Sequence, residues 1–245
     1  MEFFETMFTS AGMVSLLTLI LLEIVLGIDN IIFIAIICGY LPVEQQRKAR
    51  VIGLLLALVF RVLLLLTISY IARMTKPVFS IGEFGISGRD MILFAGGLFL
   101  IIKTIKEIIE KFKQANERHE IKGKRYTLMG AIVQIILIDI IFSFDSILTA
   151  VGLSNDIPTM ITAVTVAMIV MILFAPYVSD FINNYPTIKM LALVFLVVIG
   201  AILVIEALHI HVDKSYIYVA MGFSLLVEWL NIRLRKAVER GKGEG

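Results

Sequence analysis

Two short stretches of this chain carry side chains able to do chemistry inside otherwise apolar sequence. Leu22-Glu23-Ile24-Val25-Leu26-Gly27-Ile28-Asp29-Asn30-Ile31 and Ile138-Asp139-Ile140-Ile141-Phe142-Ser143-Phe144-Asp145-Ser146-Ile147 share one pattern: acid, five residues, Asp, then a small amide or hydroxyl. A charge at the centre of a membrane helix costs about 2.5–3.5 kcal/mol, so four lipid-facing carboxylates would cost on the order of 10–14 kcal/mol. That approaches the entire stability of many proteins. Glu23, Asp29, Asp139 and Asp145 must therefore face a protein interior, neutralised there by protons, an arginine or a metal ion. Together with the Asn30 and Ser146 oxygens they form an all-oxygen donor set. Such a set suits Mg²⁺, Ca²⁺ or Mn²⁺ and not thiolate-seeking metals. The plainer alternatives are interhelical hydrogen bonding and proton relay. Arg61 lies inside a further apolar stretch, and two roles stay open for it: a simple ion pair with one of the acids, or a tethered cation that fills the acidic site when no substrate is present.

The elements that must position these groups are membrane helices. Of 245 residues, 59% are hydrophobic and 17% charged, against roughly 25% charged in an ordinary soluble domain. About 20 apolar residues are needed for a helix to cross the bilayer core. Seven stretches come near that length: Val14–Cys38, Ala49–Ile71, Met91–Ile105, Leu128–Leu153, Pro158–Val178, Ile188–Leu208 and Ser215–Ile232. The expectation is an all-α, polytopic transmembrane bundle of about seven spans, forming a single domain over residues 1–245. The acidic start Met1-Glu2-Phe3-Phe4-Glu5 does not read as a secretory signal. A net charge of +2 is too small to suggest nucleic acid, and the lone Cys38 offers no intrachain disulfide.

The two acidic motifs stand at the same offset, and Phe99-Leu100 is echoed by Phe195-Leu196. The implied unit is three helices, used twice: residues 11–106, then 127–208, joined by a cytoplasmic linker over about 107–126 and followed by the seventh span at 215–232. An odd number of spans per unit inverts the second copy, a common transporter plan that places the substrate at the repeat interface. With the N-terminus outside, inner segments hold 17 Lys and Arg and outer segments four. The positive-inside rule then sets the N-terminus outside and the C-terminus in the cytoplasm of a cell-membrane protein.

At 100° per residue, Glu23, Gly27 and Asn30 share one stripe of their helix, as do Asp139, Ser143 and Ser146 on theirs. Asp29 and Asp145 lie roughly 100–120° further round, so each helix presents a polar wedge. Gly27 and Ser143 are small enough to let helices approach closely. Glu206 and Glu228, nearer helix ends, are expected to snorkel to an interface. His209 and His211 read as solvated loop residues, and Lys103 as the inner end of the third span. No nucleophile–base arrangement suggests an enzyme.

These residues together resemble the TerC family of integral membrane proteins, over nearly the whole chain. Its carriers here are Glu23-x5-Asp29-Asn30, Asp139-x5-Asp145-Ser146, Arg61, and Gly96-Gly97-Leu98-Phe99-Leu100-x2-Lys103. The resemblance implies seven spans and a role in metal-ion homeostasis, with manganese export as the leading activity and Mn²⁺ as the transported substrate. Mn²⁺ efflux by alternating access, through a site between the first and fourth spans, is the first expectation. A membrane interaction or scaffold protein in metal stress or secretion, without transport of its own, is the second. Partners in either case are a divalent ion and the lipid bilayer, with a homo-oligomer or membrane partner proteins compatible with both.

Overall fold

The computed structural model describes residues 9–67, 77–81, 84–116, 127–153, 156–213 and 215–243. Among them are seven α-helices: α1 (Ser10–Cys38), α2 (Val43–Leu66), α3 (Gly88–Asn116), α4 (Leu128–Leu153), α5 (Ile157–Asn184), α6 (Pro186–Ala207) and α7 (Ser215–Gly243). Five of these helices, α1, α2, α5, α6 and α7, are long and apolar enough to cross a membrane by length and composition; in α4 the apolar run is shorter, Leu128–Phe144. The chain is thus a polytopic helical membrane protein, as its sequence indicates.

Local chemistry explains where the helices begin. The Thr9 hydroxyl accepts a hydrogen bond from the Gly12 N–H at 3.1 Å, capping α1. Pro158 and Pro186 stand in the first turns of α5 and α6, where a missing N–H costs nothing. Asp213 accepts from the Ser215 N–H at 2.9 Å at the start of α7. Hydrogen bonding from Ser215 holds the Asp213 carboxyl below the ordinary carboxylate value.

Three features depart from the sequence expectation. Between α2 and α3 a two-stranded antiparallel hairpin, β1 (Pro77–Ile81) and β2 (Phe84–Ser87), pairs Ser80 with Gly85, with a bulge between Pro77 and Phe79. The stretch expected as linker is helical as far as Asn116, because α3 runs on through its charged second half; residues 117–126 lie outside the described set. Likewise α7 extends past Ile232 to Gly243. Both extensions are polar helix, which hydropathy does not register but which charged straight-chain residues favour.

The packing is cross-paired. α1 lies against α5 and α4 against α2, while α3 packs on α6. α1 also meets α4, and α2 meets α5. This pattern is unchanged when α1, α2 and α3 are exchanged with α4, α5 and α6. The α3–α6 crossing is glycine on glycine: a Cβ at Gly97 would stand 2.6 Å from the Gly200 carbonyl oxygen, and one at Gly200 would stand 2.8 Å from Ile101. α7 touches the bundle chiefly through α6. There Thr187 donates to Glu228, and the Arg233 guanidinium lies 4.1 Å from the centre of the Trp229 ring.

Candidate functional site

The site is built where α1, α2 and α4 meet. Glu23 and Asn30 come from one face of α1; Asp139, Ser143 and Ser146 come from one face of α4. All five are buried, as is Arg61 from α2; Glu23, Arg61 and Asp139 are each only 2% exposed. The 3.6-residue period delivers this directly, because each trio spans two turns along a single stripe.

Arg61 ties the cluster together. Its Nη2 pairs with the Glu23 carboxylate and also donates to Ser146 Oγ at 2.8 Å. Arg61 therefore bridges α1 to α4 while belonging to α2. A second bridge lies alongside: Asn30 Nδ2 donates to Asp139 Oδ1 at 3.1 Å. Ser143, one turn on from Asp139, donates to its other oxygen at 3.2 Å. Ser146 in turn donates to the Ser143 carbonyl at 3.3 Å. Among the described side chains of the cluster, the acceptor Oδ1 of Asn30 and the donor Nε of Arg61 have no partner. A buried acceptor facing no donor is costly unless something else engages it.

The side chains of Asp29 and Asp145 lie outside the described set, although their backbones fall within α1 and α4. Of the residues singled out from sequence, Glu23, Asn30, Arg61, Asp139 and Ser146 are brought together. Ser143, read only as a small packing residue, is part of the same network. Gly27 does permit a close approach, but to α5: a Cβ there would stand 2.4 Å from the Met171 sulfur. Among the described side chains, no group of three or more His, Cys, Asp or Glu is placed to hold a metal ion.

A cavity of about 550 Å³ reaches Asn30, Arg61 and Ser146, and is also lined by Arg89, Glu206, His211 and Asp213. The cluster is thereby connected to the end of the bundle where the hairpin and the α6–α7 connection lie. On the opposite side, Phe33 through Cys38, Leu54, Ala57 and Ile135 form a packed apolar core. Glu206 is a correction to the sequence reading. It is buried, at 7% exposure, on the cavity wall and does not snorkel to an interface; being followed by only one more helical residue in α6 made it look superficial. His209 is also more than a solvated loop residue. Its Nε2 lies 2.9 Å from Asp90 Oδ2, tying the end of α6 to the start of α3. There Ser87 and Asp90 cap one another reciprocally, with Ser87 N–H to Asp90 Oδ2 at 2.8 Å and Asp90 N–H to Ser87 Oγ at 3.2 Å. The Ser-Gly-Arg-Asp spacing is a signal by which that cap could have been found.

Comparison with known proteins agrees with this architecture. No solved structure matches the chain at a significant level. It is 47% identical over 237 residues to a UPF0053 protein of Haemophilus influenzae, covering 96% of this chain and all of that one. It is 50% identical over 215 residues to the UPF0053 inner membrane protein YgdQ of Escherichia coli K12, covering 88% and 90%. A longer Escherichia coli protein, the UPF0053 inner membrane protein YoaE, is 45% identical over 218 residues, which span 42% of its length. The model of the integral membrane protein TerC family matches residues 8–243, and with motif, fold and relatives in accord the chain belongs to that family.

Proposed function

We propose that this protein carries a divalent cation, foremost Mn²⁺, out of the cytoplasm through the cluster between α1 and α4, and that it resides in the inner membrane as its relatives' names describe theirs. The observation that carries the reading is the Arg61 bridge, in which a positive charge is held between a carboxylate of the first half and a hydroxyl of the second, alongside the Asn30–Asp139 bond. A cation arriving through the cavity would find Glu23, Asp139 and the unengaged Asn30 Oδ1 as oxygen donors, and would displace the guanidinium. Arg61 would return once the ion leaves, keeping the carboxylates neutralised. The connection to the hairpin end, with a packed core on the other side, fits a carrier standing open at one end. Exchange of the two halves about the α1–α4 contact would open the other. Protonation of the same carboxylates is the natural coupling.

Purified protein in liposomes tests this without any partner. Mn²⁺ flux is expected from the intact chain and loss of flux from Asp29→Asn and from Asp145→Asn. Each change keeps shape but removes a charge that offsets dehydration of a hard cation. The two losses should be non-additive, since one site is lost either way. Near-normal flux in both variants rules the site out, and no flux from the intact chain favours the interaction-protein reading.

A further inference from the structure

A second charged cluster lies at the α1–α2 turn, beyond the packed core from Arg61. Lys189, in the first turn of α6, is 8% exposed. Its ammonium stands 4.7 Å from the centre of the Tyr40 ring and 3.5 Å from Asn183 Oδ1. Lys111 of α3 reaches the same ring, at 5.6 Å. Gly39 makes the room, since a Cβ there would stand 2.6 Å from Asn183 Oδ1 and 3.2 Å from Lys189 Nζ. About two turns into α2, Arg50 is also 8% exposed, and its Nε and Nη1 are buried without a hydrogen-bond partner among the described residues. The nearby carboxylate of Glu107 holds Lys103 at 3.2 Å.

Among the described residues at this end, Glu107 pairs with Lys103, while the ammoniums of Lys111 and Lys189 share the Tyr40 ring. A guanidinium stays charged at any physiological pH, and a desolvated charge without a counter-ion is costly. An aromatic face attracts a cation but cannot neutralise it, and two ammoniums on one ring repel each other. What completes such a group is an anion with several acceptor oxygens, which a planar guanidinium recognises well.

We infer that this end of the bundle binds a phosphate group, and we assign it to the headgroup of an anionic phospholipid. The place favours a lipid. The cluster sits where helices end, at the level of the membrane interface, and Phe112 beside Lys111 and Phe181 one residue before Ile182-Asn183 are exposed apolar side chains along which acyl chains would lie. Basic pockets between membrane helices take anionic headgroups in this way. Tyr40 and Lys111 come from the first half of the chain and Asn183 and Lys189 from the second, so the headgroup would fasten the halves together at this end.

The test compares the full-length protein in nanodiscs of phosphatidylcholine alone and of phosphatidylcholine with phosphatidylglycerol. The expected result is a higher melting temperature with phosphatidylglycerol, and phosphatidylglycerol retained through purification in native mass spectrometry. Lys111→Gln with Lys189→Gln should abolish the rise, with retention falling roughly fivefold per lysine. Lys113→Gln, at an exposed position on the same helix, should leave both intact. Should the double variant not fold, Lys111→Gln alone carries the test, because that side chain is only half-buried. Equal melting in the two lipids, or an equal loss from Lys113→Gln, overturns the site. A full rise produced by inorganic phosphate in phosphatidylcholine alone overturns the lipid assignment.

Discussion

At Arg61 a single nitrogen serves both Glu23 and Ser146, and among the described side chains the carboxylate it pairs with is that of Glu23. Removing it leaves buried acids facing one another. Arg61→Ala should therefore cost about 3–5 kcal/mol of stability in the absence of metal. If a divalent ion occupies the same place, Mn²⁺ should restore much of that loss and raise the melting temperature more in the variant than in the parent, while turnover falls. Equal instability with and without Mn²⁺ would assign Arg61 to a purely structural pair. The meeting of Glu23, Asn30, Asp139 and Ser146 was legible in the sequence because helical period and the cost of burying charge both act locally. The burial of Glu206 was not, since it depends on how α6 stands beside α1 and α7, which no local pattern encodes. Nor did spacing reveal Ser143 as a donor, because a serine in an apolar stripe reads equally as a packing residue.

Among the elements, the α3–α6 pair is the tightest. Here backbone meets backbone: a Cβ at Gly97 would fall 2.6 Å from a carbonyl oxygen and could be accommodated only by parting the helices. Gly97→Val should destabilise the protein by about 1–3 kcal/mol through overpacking, while Gly222→Val in α7, where nothing lies within 4 Å, should be close to neutral. Thermal unfolding in a single detergent checks both, and equal shifts would mean that the close crossing is not under strain. The helices themselves follow from hydropathy and length. The hairpin did not, because Pro77–Ile81 and Phe84–Ser87 are too short and too mixed to stand out beside long apolar runs.

For the whole molecule, the pairing that survives exchange of the two halves accords with the repeated acidic motif, and the orientation expected from the distribution of Lys and Arg is open to a direct test. Orientation can be read with cysteine labels because the native Cys38 is fully buried and should stay silent to an impermeant reagent. In intact cells His211→Cys, at an exposed position near the hairpin end, should react from outside. Lys113→Cys, exposed at the other end of α3, should react only after the membrane is opened. The reverse pattern would invert the topology.

The partner of Arg61 also bears on how the chain enters the membrane. Glu23 and Arg61 belong to consecutive helices joined by the short turn from Gly39 to Pro42, and Asp139 finds one of its donors, Ser143, within its own helix. The first half can thus enter the membrane with Glu23 and Arg61 already paired, whereas Asp139 has a neutral hydroxyl donor in its own helix and gains the Asn30 amide when the halves assemble, as Arg61 gains Ser146. That pairing would let α1 assist the entry of α2 during synthesis. With Glu23→Gln, α2 would have to insert a bare guanidinium at a cost of about 2.5–3.5 kcal/mol, and a ribosome-bound chain arrested far enough beyond Thr67 for α2 to have cleared the exit tunnel should show α2 held out of the bilayer in a larger share of molecules than the parent sequence does.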